Sequence, residues 1–155
     1  MKLTSMKVIA ISLLVLTILV PCGIGIPNAE AHDEKDPRHI AMESLSKNMK
    51  TLSRALREAP PGDPEHALAS QVADVAARML ALFETPNAGH NNNRARAEIW
   101  SDWTGFSAKV DEFQDATGAL SASLKSTNPA AWSSAVQTVG QSCSSCHRLY
   151  RTSRR

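Results

Sequence analysis

The sequence predicts an all-α protein, an antiparallel four-helix bundle whose helices run up, down, up and down. Four stretches carry apolar residues at alternating steps of three and four, the period of helices that bury one face. Three of these stretches open with Asp or Asn followed by proline, a frequent beginning of a helix. The connections between the stretches are short, which favours antiparallel neighbours. The 155 residues also include only seven glycines and 5% aromatic residues, whereas a β-sandwich or barrel depends on aromatic strands and glycine turns.

Composition and charge narrow the classes of function. With 17 basic and 15 acidic side chains, the net charge is +2, which does not provide the concentrated basic surface that nucleic-acid binding needs. Three cysteines are too few for a disulfide-dense scaffold. The length suits one globular domain with a hydrophobic core. We therefore expect a single helical domain that does not bind nucleic acid.

Residues 1–31 have the features of a cleaved export signal. A basic start containing Lys2 precedes an apolar run from Val8 to Val20, and Ala29-Glu30-Ala31 matches an A-x-A cleavage site. The run is shorter than the roughly 20 apolar residues that span a bilayer. We predict cleavage after Ala31, which leaves residues 32–155 as a bundle domain in the periplasm that does not span the membrane.

The first two predicted helices begin at Asp-Pro pairs. The first begins at Asp36-Pro37, where the carboxylate can cap the first turn and proline suits the first helical position. Its apolar positions are Met42, Leu45, Met49, Leu52 and Leu56. The second begins at Asp63-Pro64 after the turn at residues 60–62, and its apolar positions are Leu68, Val72, Val75, Met79 and Leu82. Each set keeps the helical period and predicts one buried face.

The third and fourth predicted helices complete the bundle. The third follows a loop at residues 85–93, lacks a proline signal, and is expected to be capped by Ser101 or Thr104. Its apolar face contains Phe106, Val110, Phe113, Thr117, Leu120 and Leu124. The fourth helix begins at Asn128-Pro129, and its apolar face contains Trp132, Val136, Val139, Cys143, Cys146 and Tyr150. In this topology the starts of the first and third helices lie beside the ends of the second and fourth.

Cys143-Ser144-Ser145-Cys146-His147 is C-x-x-C-H, the attachment signature of c-type haem. On a helix, positions i, i+3 and i+4 share a face, so both sulfurs and the imidazole point the same way. The two thiols can then bond to the two vinyl groups of one porphyrin while His147 reaches the iron. A zinc site would need further cysteines, which the predicted mature chain lacks, and a thioredoxin-like pair would need a βαβ context. We predict one covalently attached haem c at Cys143 and Cys146.

An exported four-helix bundle with C-x-x-C-H in its last helix resembles the class II c-type cytochromes, the cytochrome c′ family. The resemblance extends over residues 37–151. Its marks are Arg38-x-x-x-Met42 at the start, the run of residues 98–102 with Phe106 after it, and Tyr150-Arg151 after the motif. The resemblance implies that Arg38 neutralises a haem propionate and that Arg151 is the basic residue near the proximal imidazole.

The residue opposite His147 decides which function the resemblance implies. The family places its distal position four residues after the arginine, at Met42, and a thioether there gives a low-spin His/Met iron suited to electron transfer. Family members with an open distal side provide the alternative, a five-coordinate haem that binds nitric oxide or carbon monoxide. The other candidate ligands are Met79, Met49 and His39.

We therefore predict a periplasmic electron carrier that exchanges electrons with periplasmic or membrane-bound redox partners. The five-coordinate gas-binding cytochrome is the second hypothesis, and a haem-free bundle that acts through protein contacts is the third. No group of residues in the sequence suggests catalysis on an organic substrate, so an enzyme is not expected. Homodimers are frequent in the family, and the resemblance therefore also implies a homodimer.

Overall fold

A computed structural model describes residues 36–86 and 94–153 of the chain. The helices in these ranges are α1 (Pro37–Glu58), α2 (Asp63–Ala77), α3 (Met79–Phe83), α4 (Glu98–Ser101), α5 (Trp103–Ser123) and α6 (Pro129–Tyr150). The predicted export signal and most of the predicted loop at 85–93 lie outside the described residues. Among the described helices, none combines the length and the apolar character that crossing a membrane requires.

Four long helical segments pack in a ring around the core. Helix α1 packs on α2, α2 on α5, α5 on α6, and α6 returns to α1. The predicted all-α four-helix bundle is therefore confirmed. The predicted apolar faces meet inside it, and the fully buried side chains include Leu52, Val72, Val110, Leu120 and Val139. Burial of each such side chain contributes about 1.5–3 kcal/mol before the entropy of folding is subtracted.

Two of the predicted helix caps are confirmed, at the beginnings of α1 and α6. Asp36 Oδ1 accepts a hydrogen bond from the Arg38 N–H at 2.9 Å. Asn128 Oδ1 accepts one from the Ala130 N–H at 3.0 Å. In both helices proline follows the cap directly, where its missing N–H leaves no backbone donor unsatisfied.

The other two predicted caps are wrong by one or two positions. Helix α2 is capped at Gly62, whose N–H donates to Glu65 Oε2 at 2.9 Å, so Asp63 already lies in the first turn. Helix α5 is capped by Asp102, not by Ser101 or Thr104 as the sequence predicts. Ser101 instead belongs to the short helix α4, which the sequence does not predict. The Asp102 carboxylate accepts the Gly105 N–H at 3.1 Å, the ordinary geometry of a capping acid.

The second predicted helix is interrupted at Arg78, which separates α2 from α3. Arg78 has φ −95° and ψ 0°, and its N–H donates to the Val75 carbonyl three residues back, at 3.2 Å. The Ala76 carbonyl accepts the side-chain amide of Gln114 on α5, at 3.1 Å. A tertiary hydrogen bond therefore satisfies a carbonyl at the end of α2, and this long-range contact accompanies the break.

We call the end of the bundle where α1 and α5 begin, and where α3 and α6 end, the motif end. Side chains join these four segments there. Arg38 of α1 donates to the Leu82 carbonyl of α3, and Tyr150 of α6 donates to Asp102 at the start of α5. The predicted meeting of these helix ends is confirmed by these contacts.

Candidate functional site

The two cysteines of the C-x-x-C-H motif lie in the last turns of α6 and face the interior. Cys143 and Cys146 are free thiols, both half-buried, and both pack against the hydrophobic core. Their spacing of three residues places them on one face of the helix, and His147 follows on the same side. The structure thus brings the two sulfurs to the α6 face that the sequence predicts.

Both thiols are held in the protonated form. Burial, with the neighbouring Cys143 as a smaller cause, raises the pKa of Cys146 to about 11. Burial likewise raises the pKa of Cys143. A zinc site or a reactive redox pair relies on thiolates, which a lowered thiol pKa favours. The environment of these cysteines therefore does not favour either of those two alternatives.

His147 is half-buried beside the thiols, and its imidazole is kept neutral. Its pKa is lowered first by burial and then by the positive charges of Arg151 and Arg94. A neutral imidazole nitrogen is the form that binds a metal. The family resemblance implies Arg151 at this position, whereas nothing in the sequence indicates Arg94.

Residues 94–96 pair with residues 150–152, which follow the motif. Ala95 and Arg151 form an antiparallel bridge. The Arg96 N–H donates to the Tyr150 carbonyl at 3.0 Å, and the Thr152 N–H donates to the Arg94 carbonyl at 2.9 Å. We call this pairing of 94–96 with 150–152 the strap, and it brings Arg94 to the end of α6.

Arg38 is buried at the motif end, and its side chain is only 9% exposed. Its Nε donates to the Leu82 carbonyl at 2.5 Å, and its Nη2 donates to the Thr85 carbonyl. The guanidinium lies 5.0 Å from the ring centre of Phe83 and 5.6 Å from that of Trp100. Its Nη1 is buried and has no hydrogen-bond partner within 36–86 and 94–153. A buried guanidinium nitrogen left in this way lacks an acceptor, and an anion would supply one.

The four candidate distal ligands differ in their surroundings. Met42 lies one turn after Arg38 on α1 and is half-buried against the core. Met79 is buried within the core at 5% exposure, and Met49 is half-buried further along α1. His39 is on the surface, where its Nε2 lies 3.9 Å from Glu43 Oε2 and 66% of its side chain is exposed.

Aromatic side chains enclose the motif end. Phe106 is the central one, with its ring centre 5.3 Å from Phe83, 5.6 Å from Trp103 and 5.4 Å from Tyr150. Trp100 joins them through its Nε1, which donates to the Phe83 carbonyl at 2.8 Å. Rings at these separations attract one another. All five residues stand close to the helix ends that meet at the motif end.

Asp102 joins the beginning of α5 to the end of α6, a role that the sequence does not predict. One carboxylate oxygen caps α5, and the other accepts the Tyr150 hydroxyl at 2.8 Å. A Cβ on residue 105 would lie 2.3 Å from Asp102 Oδ2, so a larger residue there would displace the Asp102 carboxylate. The cap is a local contact, because Asp102 stands three residues before Gly105. The other partner of Asp102, Tyr150, is 48 residues away, and nothing near Asp102 in the sequence indicates it.

Arg94 is the other site residue that the sequence does not predict. It lies with Arg96 in a basic stretch just before α4. An arginine in a loop usually has a solvated side chain. Its partner, the Thr152 carbonyl, is 58 residues away. The residues next to Arg94 in the sequence therefore give no indication of this partner.

Comparison with known proteins identifies the relatives of this arrangement. The chain matches the model of the family described as cytochrome C′ over residues 33–151. Cytochrome c′ from Rhodospirillum rubrum is 27% identical over 117 residues, which cover 74% of this chain and 78% of that protein.

Two solved structures show the same similarity. A cytochrome c′ described as having an unusual ligand-controlled dimer dissociation is 26% identical, with a TM-score of 0.68, and the match covers 75% of this chain and 92% of that one. A nitric oxide complex of a mutant cytochrome c prime from Alcaligenes xylosoxidans is 28% identical, with a TM-score of 0.65, and the match covers 76% and 91% of the two chains. Because the family model matches residues 33–151 of this chain and the cysteine pair is present on α6, the chain belongs to the cytochrome c′ family, whose members are non-enzymatic proteins carrying one covalently bound haem c.

Proposed function

We propose that this protein binds a diatomic gas, nitric oxide or carbon monoxide, at the haem face opposite His147. The observation that carries this proposal is the similarity over three quarters of the chain to a cytochrome c prime solved as its nitric oxide complex. The apolar face of α1 at Ala41, Met42 and Leu45 supports it, because these side chains offer a small ligand a dry environment.

The residues at the motif end fit a haem. Cys143 and Cys146 are unpaired thiols directed at the core, as two thioether bonds require. The buried Nη1 of Arg38 lacks an acceptor among the described residues, and a haem propionate would provide one with matching charge. When bound, the haem supplies the iron with its redox couple and its coordination position for a gas.

Each group of side chains at the motif end would then have its own role in holding the haem. His147, neutral because of burial and two neighbouring arginines, would bind the iron from the α6 side. Arg38 would hold a propionate while its other nitrogens keep α1 tied to the end of α3. The rings around Phe106 would exclude water from this end of the bundle.

The second candidate function is the electron carrier, which the sequence predicts first. The specific observation in its favour is Met42, a thioether on α1 that is half-buried one turn after Arg38. A His147/Met42 pair would raise the reduction potential and suit electron exchange with periplasmic or membrane-bound redox partners. Met79 is a weaker rival because its side chain already packs in the core at 5% exposure.

Absorption spectra of the ferrous protein before and after addition of carbon monoxide separate the two functions. For the gas-binding protein we expect a high-spin spectrum that shifts at once, in the wild type and in Met42→Leu alike. For the electron carrier, the wild type would show a sharp low-spin spectrum that carbon monoxide barely alters, and Met42→Leu would convert it to the gas-binding form. Met49→Leu, on the same helix but deeper in the bundle, is the matched control and should leave the spectrum unchanged. A low-spin, unresponsive wild type would overturn the gas-binding proposal.

We also propose that the chain is exported to the periplasm after cleavage behind Ala31 and that it forms a homodimer. The A-x-A pattern at residues 29–31 supports the first statement. A relative described by ligand-controlled dimer dissociation supports the second. Intact mass of the protein from the periplasm, and sedimentation with and without carbon monoxide, test the two statements separately.

A further inference from the structure

The strap closes over the end of α6 directly after the motif. Two backbone hydrogen bonds, from Arg96 N–H to Tyr150 and from Thr152 N–H to Arg94, join its two segments. The Arg151 N–H donates to the His147 carbonyl at 3.1 Å, which ends α6 at the strap. The backbone of His147 is therefore tied directly to the segment that the strap holds.

The side chain of Arg94 adds a second hold on the strap. Its Nε and its Nη2 both donate to the Thr152 carbonyl, at 3.1 Å and 2.5 Å. Two donors on a single acceptor fix the plane of a guanidinium, which is always charged. The half-buried Arg94 is thus held with its charge in place at the end of α6.

The strap places the charge of Arg94 close to His147 along the chain. The Thr152 carbonyl that Arg94 binds follows directly after Arg151, whose N–H donates to the His147 carbonyl. Of the acidic groups at this end, Glu98 pairs with Arg96, and Asp102 accepts the Tyr150 hydroxyl. The strap therefore holds two arginines, Arg94 and Arg151, at the end of α6 where His147 lies.

We propose that Arg94 is a positioning residue for the His147 side of the haem. Its two hydrogen bonds to the Thr152 carbonyl hold the strap together and fix a second positive charge beside Arg151. This inference rests on the proposed role of His147 as the iron ligand. A fixed positive charge disfavours the ferric state, which has one more positive charge than the ferrous state. Arg94 therefore raises the reduction potential of the bound haem and holds the end of α6 in place.

The test compares Arg94→Ala, Arg94→Lys and the control Arg148→Ala in the haem-loaded protein. Arg148 is an exposed arginine next to His147 on α6, outside the strap. Midpoint potentials report the charge, and hydrogen exchange of the Arg96 and Thr152 amides reports the strap. We expect Arg94→Ala to shift the ferric-to-ferrous ratio at fixed potential by about tenfold towards ferric, which is about 59 mV for one electron. Its two strap amides should exchange about tenfold faster.

Arg94→Lys keeps the positive charge, so its midpoint potential should be close to that of the wild type. It loses the paired donors to the Thr152 carbonyl, so its strap amides should exchange as fast as those of Arg94→Ala. Arg148→Ala should leave both readouts at their wild-type values. An unchanged potential in Arg94→Ala, with a histidine-ligated wild-type spectrum, would overturn this inference alone. A wild-type spectrum without histidine ligation would overturn the proposed role of His147 and this inference with it. If Arg94→Ala does not fold, Arg94→Lys provides the test. Slow exchange of the strap amides in that variant would contradict the role of the paired hydrogen bonds to Thr152.

Discussion

The two ends of the bundle are held together in different ways. At the motif end, Arg38 reaches the Leu82 carbonyl and Tyr150 reaches Asp102, partners 44 and 48 residues apart. At the opposite end, where α1 meets α2 and α5 meets α6, Gly62 bonds to Glu65 and the Trp132 Nε1 bonds to the Ser126 carbonyl, three and six residues apart. The end that carries the motif is therefore assembled by distant contacts, and the other end by its own turns.

This difference indicates which parts of the molecule serve the site. Local hydrogen bonds form wherever a helix begins or a turn closes, and they need no partner from elsewhere in the chain. Bonds between distant residues fix the relative positions of whole helices, as a cofactor site between helices requires. We expect substitutions at the motif end to change both the stability of the protein and its haem, and substitutions at the opposite end to change stability alone.

The largest expected effect is loss of the haem itself. Cys143→Ala combined with Cys146→Ala removes both thiols, so no covalent attachment can form and the intact mass should fall by one haem. Mass spectrometry of protein matured in a host with haem-attachment machinery measures this directly. Ser144→Ala, an exposed residue between the two cysteines, is the control and should keep the haem mass. A haem mass that survives the double substitution would contradict attachment at this motif.

The next largest effect is expected from Phe106→Ala, which should cost about 3–5 kcal/mol of unfolding free energy. Phe106 is 2% exposed and contacts three other aromatic rings. Phe113, on the same helix and also buried, makes no such ring contact with the aromatic side chains of the described residues. Phe113→Ala should therefore cost less, by about 0.5–1.5 kcal/mol for each lost aromatic pair. Urea denaturation of both variants measures the difference, and equal costs would contradict a special role for the aromatic cluster.

A smaller effect on the unfolding free energy is expected from removing a helix cap, and it should differ between the two ends of the bundle. Asn128→Ala removes a cap at the opposite end and should cost about 1 kcal/mol. Asp102→Ala removes a cap and also the acceptor of the buried Tyr150 hydroxyl, which should add about 1–3 kcal/mol. In urea denaturation, Tyr150→Phe should abolish this additional cost when it is combined with Asp102→Ala. Additive costs in that double variant would show that the hydrogen bond between the Tyr150 hydroxyl and Asp102 contributes nothing to stability.

The smallest effect is a dependence of stability on alkaline pH. Burial, and then the hydrogen bond to Asp102 and its charge, raise the pKa of Tyr150 from 10.0 to about 12. Between these values the unfolded chain loses its proton while the folded protein keeps it, so the unfolding free energy falls as pH rises. The contribution should be complete below pH 10 and lost towards pH 12. Thermal melts over this range should show a shallower decline for Tyr150→Phe, and identical declines would rule out this cause.

The sequence predicts the local features of this molecule and misses the distant ones. The caps at Asp36 and Asn128 are readable because acceptor, proline and apolar period are adjacent in the chain. The break at Arg78 is not readable, because Ala, Arg, Met and Leu all favour a continuous helix and the Gln114 side chain that satisfies the Ala76 carbonyl comes from another helix.

The same distinction applies to the site. The spacing of Cys143, Cys146 and His147 is a local pattern on one helix, and the structure places the two sulfurs where that pattern predicts. Arg38 is identified through the resemblance to a family, and the structure shows that it is buried. Arg94 and Asp102 have partners 58 and 48 residues away, and no short pattern in the sequence refers to such contacts.

The close approach of Asp102 to residue 105 has a consequence for the evolution of this chain. A Cβ at position 105 would meet the carboxylate oxygen that also holds Tyr150, so the Asp102 side chain would have to turn away and lose that hydrogen bond. A mutation of Gly105 is therefore costly as long as Asp102 remains. Once position 102 changes, position 105 becomes free to vary, and a return to Asp102 is then obstructed. The order in which these two mutations occur decides which later sequences can be reached.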